Sequence, residues 1–190
     1  MPLNLPNLIT WLRILLIPLI VGVFYLPDAW LSGQGKNLAA TVVFVIAAIT
    51  DWLDGYLARR LNQMSAFGAF LDPVADKLVV VGALIVLLKL GRVDMVIGLI
   101  IIGREIAISA LREWMAQLGH AKSVAVAFIG KLKTVLQMVA IPLLLFEDTL
   151  FGVIDCYALG TLLIYVAAVL TVISMLYYLR RALPHAAEPG

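Results

Sequence analysis

Six long apolar segments dominate this sequence. They lie near residues 6–26, 38–58, 66–88, 93–115, 124–146 and 156–179. Each approaches or exceeds the roughly 20 helical residues that cross the ~30 Å hydrocarbon core of a bilayer. Because hydrocarbon offers no partner to backbone N–H and C=O groups, a segment that crosses it alone folds as a helix. The sequence therefore predicts an all-α, polytopic membrane protein with six transmembrane helices.

The composition agrees with a membrane protein. Of 190 residues, 63% are hydrophobic and 14% are charged, which excludes an ordinary soluble domain and a disordered chain. The polar breaks between segments are short, so we expect one membrane domain over residues 1–190. The first segment lacks a basic start and carries Arg13, so we interpret it as a membrane helix rather than a secretion signal. The net charge of +2 says little about partners, and no nucleic acid is expected among them.

Basic residues are distributed unequally between the two sides of the predicted membrane. Six lie on the side of the N terminus: Arg59, Arg60, Arg112, Lys122, Arg180 and Arg181. Three lie on the opposite side: Lys36, Lys89 and Arg92. Because cytoplasmic loops carry an excess of lysine and arginine, this bias places both termini in the cytoplasm.

Four carboxylates interrupt the second and third apolar segments. Asp51 and Asp54 are three residues apart on the second, and Asp72 and Asp76 are four apart on the third, so each pair shares one helix face. Each aspartate at the centre of a spanning helix costs roughly 2.5–3.5 kcal/mol. If a turn near residue 63 joins the two helices into an antiparallel hairpin, Asp51 lies level with Asp76 and Asp54 with Asp72. We therefore expect the four carboxylates to face one another.

The depth and charge of this cluster predict a metal site. Asp51 lies nine residues before Arg60, or roughly 14 Å below the helix end, so the polar cavity should face the cytoplasm. Converging carboxylates repel one another, and a hard divalent cation that prefers oxygen ligands, Mg²⁺ or Mn²⁺, is the natural counter-charge. Four carboxylates suit two such ions better than one.

The same carboxylates lie in a recognisable motif. From Asp51 to Asp76 the chain reads D-W-L-D-G-Y-L-A-R, eight residues, G, three residues, D, three residues, D. This resembles the signature of the CDP-alcohol phosphatidyltransferases at every fixed position. Five further runs resemble the bacterial branch of this family that uses glycerol 3-phosphate: Pro6–Arg13, Leu71–Lys77, Gly103–Ile106, Ala110–Trp114 and Gly130–Thr134.

The resemblance implies an activity and a location. It implies transfer of the phosphatidyl group from CDP-diacylglycerol to sn-glycerol 3-phosphate, giving phosphatidylglycerophosphate and CMP, the first committed step of phosphatidylglycerol and cardiolipin synthesis. It also implies a bacterial cytoplasmic (inner) membrane location and a homodimer. A different acceptor, inositol phosphate or phosphatidylglycerol, is the nearest alternative, although the motifs between Gly103 and Thr134 favour glycerol 3-phosphate.

The resemblance also assigns roles to the four carboxylates. Asp51, Asp54 and Asp72 are expected to bind two divalent cations at the diphosphate of the lipid substrate. Asp76 is expected to be a further ligand and the general base that takes the proton from the glycerol hydroxyl.

Six further residues are expected to contact CDP-diacylglycerol: Gly55, Ala58, Arg59, Ser65, Asn7 and Thr10. Gly55 has no side chain, so the nucleotide can approach the helix backbone, and Ala58 keeps the same groove shallow. The planar guanidinium of Arg59 suits two phosphate oxygens. Ser65, Asn7 and Thr10 are candidates for contacts with the nucleotide.

The acceptor brings a dianionic phosphate, so its site needs cations. The candidates are Arg104, Arg112, Lys131 and Lys133. Lys131 and Lys133 are two residues apart and cannot share one face of a regular helix. Alternatives remain open, because Arg104 could pair with its neighbour Glu105 or extend to the membrane surface, and the two lysines could be cytoplasmic topology signals.

Two other interpretations of the acidic cluster compete with a metal site. The four aspartates could be structural partners of Arg59, Arg60 and Lys77. Intramembrane carboxylates also line the pathways of cation and proton transporters. A transporter, however, needs polar residues along a path to the far side, whereas these charges cluster toward the cytoplasm.

Overall fold

The computed structural model of the protein describes residues 5–60, 66–117 and 128–186. For residues 5–7, 52, 54–60, 66–67, 69, 128–129, 181 and 184–186 it describes the backbone alone. The helices are α1 (Leu5–Gly22), α2 (Gly33–Arg60), α3 (Ala66–Lys89), α4 (Met95–Gln117), α5 (Phe128–Phe146) and α6 (Cys156–Ala186). A 3-10 turn at Val23–Tyr25 follows α1, and strands β1 (Thr149–Leu150) and β2 (Ile154–Asp155) precede α6.

The six helices lie at the six predicted segments, with differences at their ends. The second helix begins at Gly33 rather than at residue 38, because Ser32 caps it: the Ser32 hydroxyl oxygen accepts a hydrogen bond from the Gly35 N–H at 3.2 Å. The two strands pair antiparallel, Thr149 with Asp155, and form a short hairpin that an all-α prediction does not contain.

Three helices of the described ranges are long and apolar enough to cross a membrane. Their apolar stretches are Leu8–Tyr25, Gly33–Asp51 and Cys156–Arg180. The other three helices, α3, α4 and α5, carry the charges of the candidate site within their length. That these helices also span the bilayer stays a prediction.

Helix α1 lies between the two helices that carry the signature aspartates. It packs along both α2 and α3, whereas α2 and α3 contact each other over few of the residues that the structure describes. Helix α5 packs against α2 and, more extensively, against α6, and α4 packs against α6. The α5–α6 contact is close, since a Cβ at Gly160 would lie 2.8 Å from Leu144 Cγ.

A shared apolar core joins these helices at the end away from the aspartates. Its fully buried members include Ile20, Phe44, Leu84, Leu87, Ile141 and Leu144. Large apolar side chains also cover the outer faces of the helices, among them Leu15, Leu19, Leu162 and Val169. An exposed apolar surface of this extent is typical of a protein surrounded by lipid.

Arg92 connects three elements at the far end of the bundle. It lies between α3 and α4, and its guanidinium donates to the carbonyls of Leu144 and Leu145 at 3.1 and 2.8 Å and to Asn37 Oδ1 at 2.9 Å. The same group forms an ion pair with Glu147. Arg92 thus caps the last carbonyls of α5 and ties them to the start of α2.

Candidate functional site

A single cavity collects most of the predicted site residues that the structure describes. Its volume is about 470 Å³, and residues of α1 to α5 line it. Its charged lining residues are Arg13, Asp51, Asp76, Lys77, Arg104, Glu105, Arg112, Lys131 and Lys133. The acidic residues of the signature and the candidate acceptor cations therefore face one space.

At the acidic end, Arg13 bridges the two aspartates. Its Nη1 lies 3.1 Å from Asp51 Oδ1 and donates to Asp76 Oδ1. The Arg13 side chain is 1% exposed, while each aspartate side chain is 44% exposed. Asp51 and Asp76 thus come together as the hairpin argument expects. The cation between them comes from α1, however, which the sequence argument did not foresee.

Asp72 is oriented by the same helix. Thr10, buried on α1 one turn before Arg13, donates from Oγ1 to Asp72 Oδ1 at 2.7 Å. Helix α1 therefore contacts one aspartate of α2 and two of α3. Thr10 lies beside a predicted metal ligand, and its contact with the nucleotide stays a prediction.

The acidic end has the chemistry of a site for a hard cation. Asp51 and Asp76 direct carboxylate oxygens at one positively charged nitrogen, which stands where a cation could lie. Both side chains are partly exposed to the cavity, and hard divalent cations prefer such oxygen ligands. Among the side chains that the structure describes, no group of three or more acidic, histidine or cysteine residues has the spacing of a metal site. The carboxylates of Asp51 and Asp76 can together bind one cation. The side chain of Asp54 is not among those that the structure describes.

At the other end, Glu105 joins two buried cations. Its Oε1 accepts from Arg104 Nη1 at 2.9 Å and from Lys133 Nζ. Arg104 and Lys133 are buried, so a carboxylate beside them stabilises their charges. Arg104 does pair with Glu105, as the alternative interpretation held, but the pair faces the cavity.

Two arginines at this end keep a donor without a protein partner. Among the described residues, the Nε groups of Arg104 and Arg112 are buried and make no hydrogen bond. The Arg112 guanidinium is held 5.5 Å from the centre of the Tyr178 ring, a cation–π contact. Buried donors left unpaired call for an explanation, and an anionic ligand in the cavity supplies one.

The two lysines of α5 differ in burial, as their spacing predicts. Lys133 is buried, whereas Lys131 is exposed, and both line the cavity. Lys133 is therefore fixed by its ion pair, while no such ion pair of Lys131 is found among the described residues.

Some predicted residues lie where the structure gives no side chain. Asn7 is on α1, and Asp54, Gly55, Ala58 and Arg59 are on α2, where the backbone alone is described. Ser65 lies outside the described ranges.

The sequence-based prediction gave no functional role to three charged residues of the cavity, Arg13, Glu105 and Lys77, the last considered only as a structural partner of the aspartates. Arg13 was noted only as part of a motif and as an argument against a secretion signal. The cost of an arginine inside an apolar helix was the signal that could have marked it. Glu105 was considered only as a structural partner of Arg104, although an acid between two candidate cations is also a signal.

Comparisons with known proteins identify the family of this chain. The family model for CDP-alcohol phosphatidyltransferase matches residues 3–173. Proteins of Escherichia coli K12 and Salmonella typhimurium LT2, each named CDP-diacylglycerol–glycerol-3-phosphate 3-phosphatidyltransferase, are 50% identical over 184 residues, covering 96% of both chains. A protein of the same name from Shigella flexneri serotype 5b is 49% identical over the same length. The chain belongs to the CDP-alcohol phosphatidyltransferase family.

Proposed function

We propose that this protein transfers the phosphatidyl group of CDP-diacylglycerol to sn-glycerol 3-phosphate, giving phosphatidylglycerophosphate and CMP. The observation that carries the proposal is the polarity of the cavity, with carboxylates at one end and buried cations at the other. The shared length and identity with relatives named for this reaction support the choice of both substrates.

The reaction exchanges one phosphate ester bond for another. The primary hydroxyl oxygen of glycerol 3-phosphate attacks the phosphorus that bears diacylglycerol, and the bond from that phosphorus to the bridging oxygen of CMP breaks. Asp76 lines the cavity at its acidic end and takes the hydroxyl proton. The negative charge of the broken bond leaves with CMP.

Asp51, Asp54, Asp72 and Asp76 at the acidic end would hold the divalent cations of the reaction, two Mg²⁺ or Mn²⁺ ions. Thr10 would orient Asp72 toward them. When bound, the cations neutralise the diphosphate oxygens and stabilise the leaving CMP. Members of this family are in general dependent on divalent cations.

The lipid substrate occupies the side of the cavity formed by α1 and α2. Gly55, Ala58, Arg59, Ser65, Asn7 and Thr10 contact its nucleotide and phosphates. A second, apolar cavity of about 330 Å³ lies between α2 and α5 and shares Ala48 and Met138 with the first. This continuity lets the acyl chains leave the polar cavity toward lipid.

The acceptor phosphate binds at the basic end. Arg104, Arg112, Lys131 and Lys133 provide four cations for a dianion, and the unpaired Nε groups of Arg104 and Arg112 are ready donors for its oxygens. With its phosphate held there, glycerol 3-phosphate directs its hydroxyl toward Asp76.

The membrane arrangement follows from the same residues. All six helices cross the bacterial cytoplasmic membrane, both termini are cytoplasmic, and the cavity faces the cytoplasm. The excess of lysine and arginine on the side of Arg59, six residues against three, supports this orientation. That the chain acts as a homodimer is proposed from the resemblance to its family alone.

The direct test is CMP release by the purified full-length protein in detergent. Assays contain CDP-diacylglycerol, Mg²⁺ or Mn²⁺, and glycerol 3-phosphate, inositol phosphate or phosphatidylglycerol. We expect release that requires both the metal and glycerol 3-phosphate. Release with another acceptor alone would overturn the acceptor, and no release under any condition would favour a transporter. Asp148→Asn, an exposed acid at the far end, is the matched control for Asp76→Asn.

A further inference from the structure

The position of α1 makes Arg13 the physical link between the two signature helices. Among the described residues, α1 packs along both α2 and α3, which contact each other over few residues, so α1 helps to hold Asp51 beside Asp76. Arg13 supplies that contact, with its Nη1 between the two Oδ1 atoms. Its side chain is almost completely buried and lines the same cavity as both aspartates.

The charges explain why a cation is needed between the two carboxylates. Two carboxylates that share one small space repel each other. A guanidinium between them neutralises part of that charge. Conversely, a buried arginine without acidic partners would itself be strongly destabilising. Arg13 and the aspartates therefore stabilise one another.

We propose that Arg13 is the resident counter-ion of the metal site. It holds Asp51 and Asp76 together in the metal-free protein and gives up its place between them when a divalent cation binds. The inference rests on the proposed function, because it takes these aspartates as metal ligands. Arg13 is a positioning residue in this scheme, since it acts through the carboxylates that it contacts.

The exchange has a measurable consequence for metal affinity. Arg13 and the metal compete for the same oxygens, so the wild-type site binds a divalent cation more weakly than the carboxylates alone would. Replacing Arg13 with a neutral residue removes this competition and leaves the repulsion between Asp51 and Asp76 unrelieved. The metal-free variant is then less stable, and the metal restores more stability than it adds to the wild type.

The experiment measures Mn²⁺ binding by the full-length protein in detergent, using the electron paramagnetic resonance signal of unbound Mn²⁺. For Arg13→Gln we expect a Kd for Mn²⁺ about tenfold lower than that of the wild type, because a unit charge a few ångströms away is removed. Thermal unfolding with and without Mn²⁺ should show a correspondingly larger metal-induced rise in Tm. Arg13→Lys, which keeps the charge, should bind Mn²⁺ within about threefold of the wild type.

Lys36→Gln is the matched control, because Lys36 forms an ion pair with Asp28 at the other end of the bundle. We expect it to leave the Mn²⁺ affinity unchanged. Equal Mn²⁺ affinity in Arg13→Gln and the wild type, or an equal loss of Tm with and without Mn²⁺, would reduce Arg13 to a structural role. Failure of the wild type itself to bind Mn²⁺ would overturn the metal site and this inference together.

A measurement on the wild type covers the case in which Arg13→Gln does not fold. The side-chain ¹⁵N–¹H signals of labelled arginine are followed during a Mg²⁺ titration, and the Arg13 signal is assigned by its loss in Arg13→Lys. We expect that signal to move and to saturate with Mg²⁺. An Arg13 signal that stays unchanged while Mg²⁺ binds would overturn the exchange.

Discussion

Lys133 of α5, which is buried, forms an ion pair inside the cavity with Glu105 of α4, which is partly buried. Glu105 also accepts from Arg104, so one carboxylate fixes two cations at the basic end. A fixed pair of cations can receive a phosphate without first losing side-chain freedom. Glu105 therefore holds the cations in place, which explains why an acidic residue lies in a site for an anion.

The first prediction concerns Lys133. Lys133→Met should raise the KM for glycerol 3-phosphate about tenfold or more, since a charge-assisted hydrogen bond is worth about 1.5–3 kcal/mol. The KM for CDP-diacylglycerol should stay near its wild-type value. Steady-state CMP release with each substrate varied in turn measures both constants. Lys131→Met is the comparison for the exposed lysine, with a smaller expected rise, and equal increases for both substrates would indicate a general fold defect.

The second prediction concerns Asp76. Asp76→Asn should lower kcat by about 10²–10⁴, because the variant cannot take the hydroxyl proton. Binding of CDP-diacylglycerol should persist, since the other proposed ligands remain. Single-turnover CMP release and equilibrium binding of the lipid nucleotide separate the two effects. Substantial turnover in Asp76→Asn would contradict the role of Asp76 as the general base. The control variant Asp148→Asn should behave as the wild type.

The third prediction concerns Thr10. Thr10→Val keeps the size of the side chain but removes the hydrogen bond to Asp72. Groups that orient metal ligands typically contribute 10- to 100-fold in metal affinity or activity. We expect Thr10→Val to raise the Mg²⁺ concentration at the half-maximal rate of CMP release by a factor within that range. Thr10→Ser retains the hydroxyl and should restore most of the wild-type value, whereas equal values for all three proteins would contradict the role.

The helices were predictable because length and apolar composition decide them in a bilayer. The start of α2 was not, since residues 33–37 are polar and their helix depends on the Ser32 cap. The short hairpin before α6 also escaped prediction. Its turn uses positive φ angles at Phe151 and Gly152, +54° and +70°, and apolar periodicity carries no signal for such a turn.

The candidate site was predictable only in its residue types and in part of its geometry. The spacing of the aspartates brought Asp51 level with Asp76, but that argument considered the two helices alone. The position of α1 between them depends on the tertiary packing, and so does the contact of Arg13 with both aspartates. For the same reason Glu105 could not be assigned to two cations, one of which lies 28 residues away.

The fourth prediction is a pH dependence at Asp28, in the loop before α2. Lys36 donates to the Asp28 carboxylate at 2.6 Å, and this bond, with the attraction of the ammonium charge, lowers the pKa of Asp28 from 3.8. A depressed pKa in the folded state contributes stability above the unfolded value, and that stability is lost as the pH falls through the folded value. Asp28→Asn should therefore lower Tm slightly at pH 7, and the difference should shrink below about pH 4. A difference that grows on acidification would contradict the pairing.

The last prediction separates structural from functional arginines. Burial lowers the pKa of Arg92, although Glu147 opposes that shift. The charged guanidinium therefore loses hydration in the folded protein, and its partners offset that loss. Arg92→Gln would leave the terminal carbonyls of α5 and the Glu147 carboxylate with fewer donors. The free energy of unfolding should fall by about 1–3 kcal/mol, measured by denaturation in detergent. The KM values for both substrates should change little, because Arg92 lies at the end of the bundle away from the cavity.

Arg104→Gln should show the opposite pattern, with a raised KM for glycerol 3-phosphate. If Arg92→Gln raised that KM as much as Arg104→Gln, the acceptor site could not be confined to the basic end of the cavity.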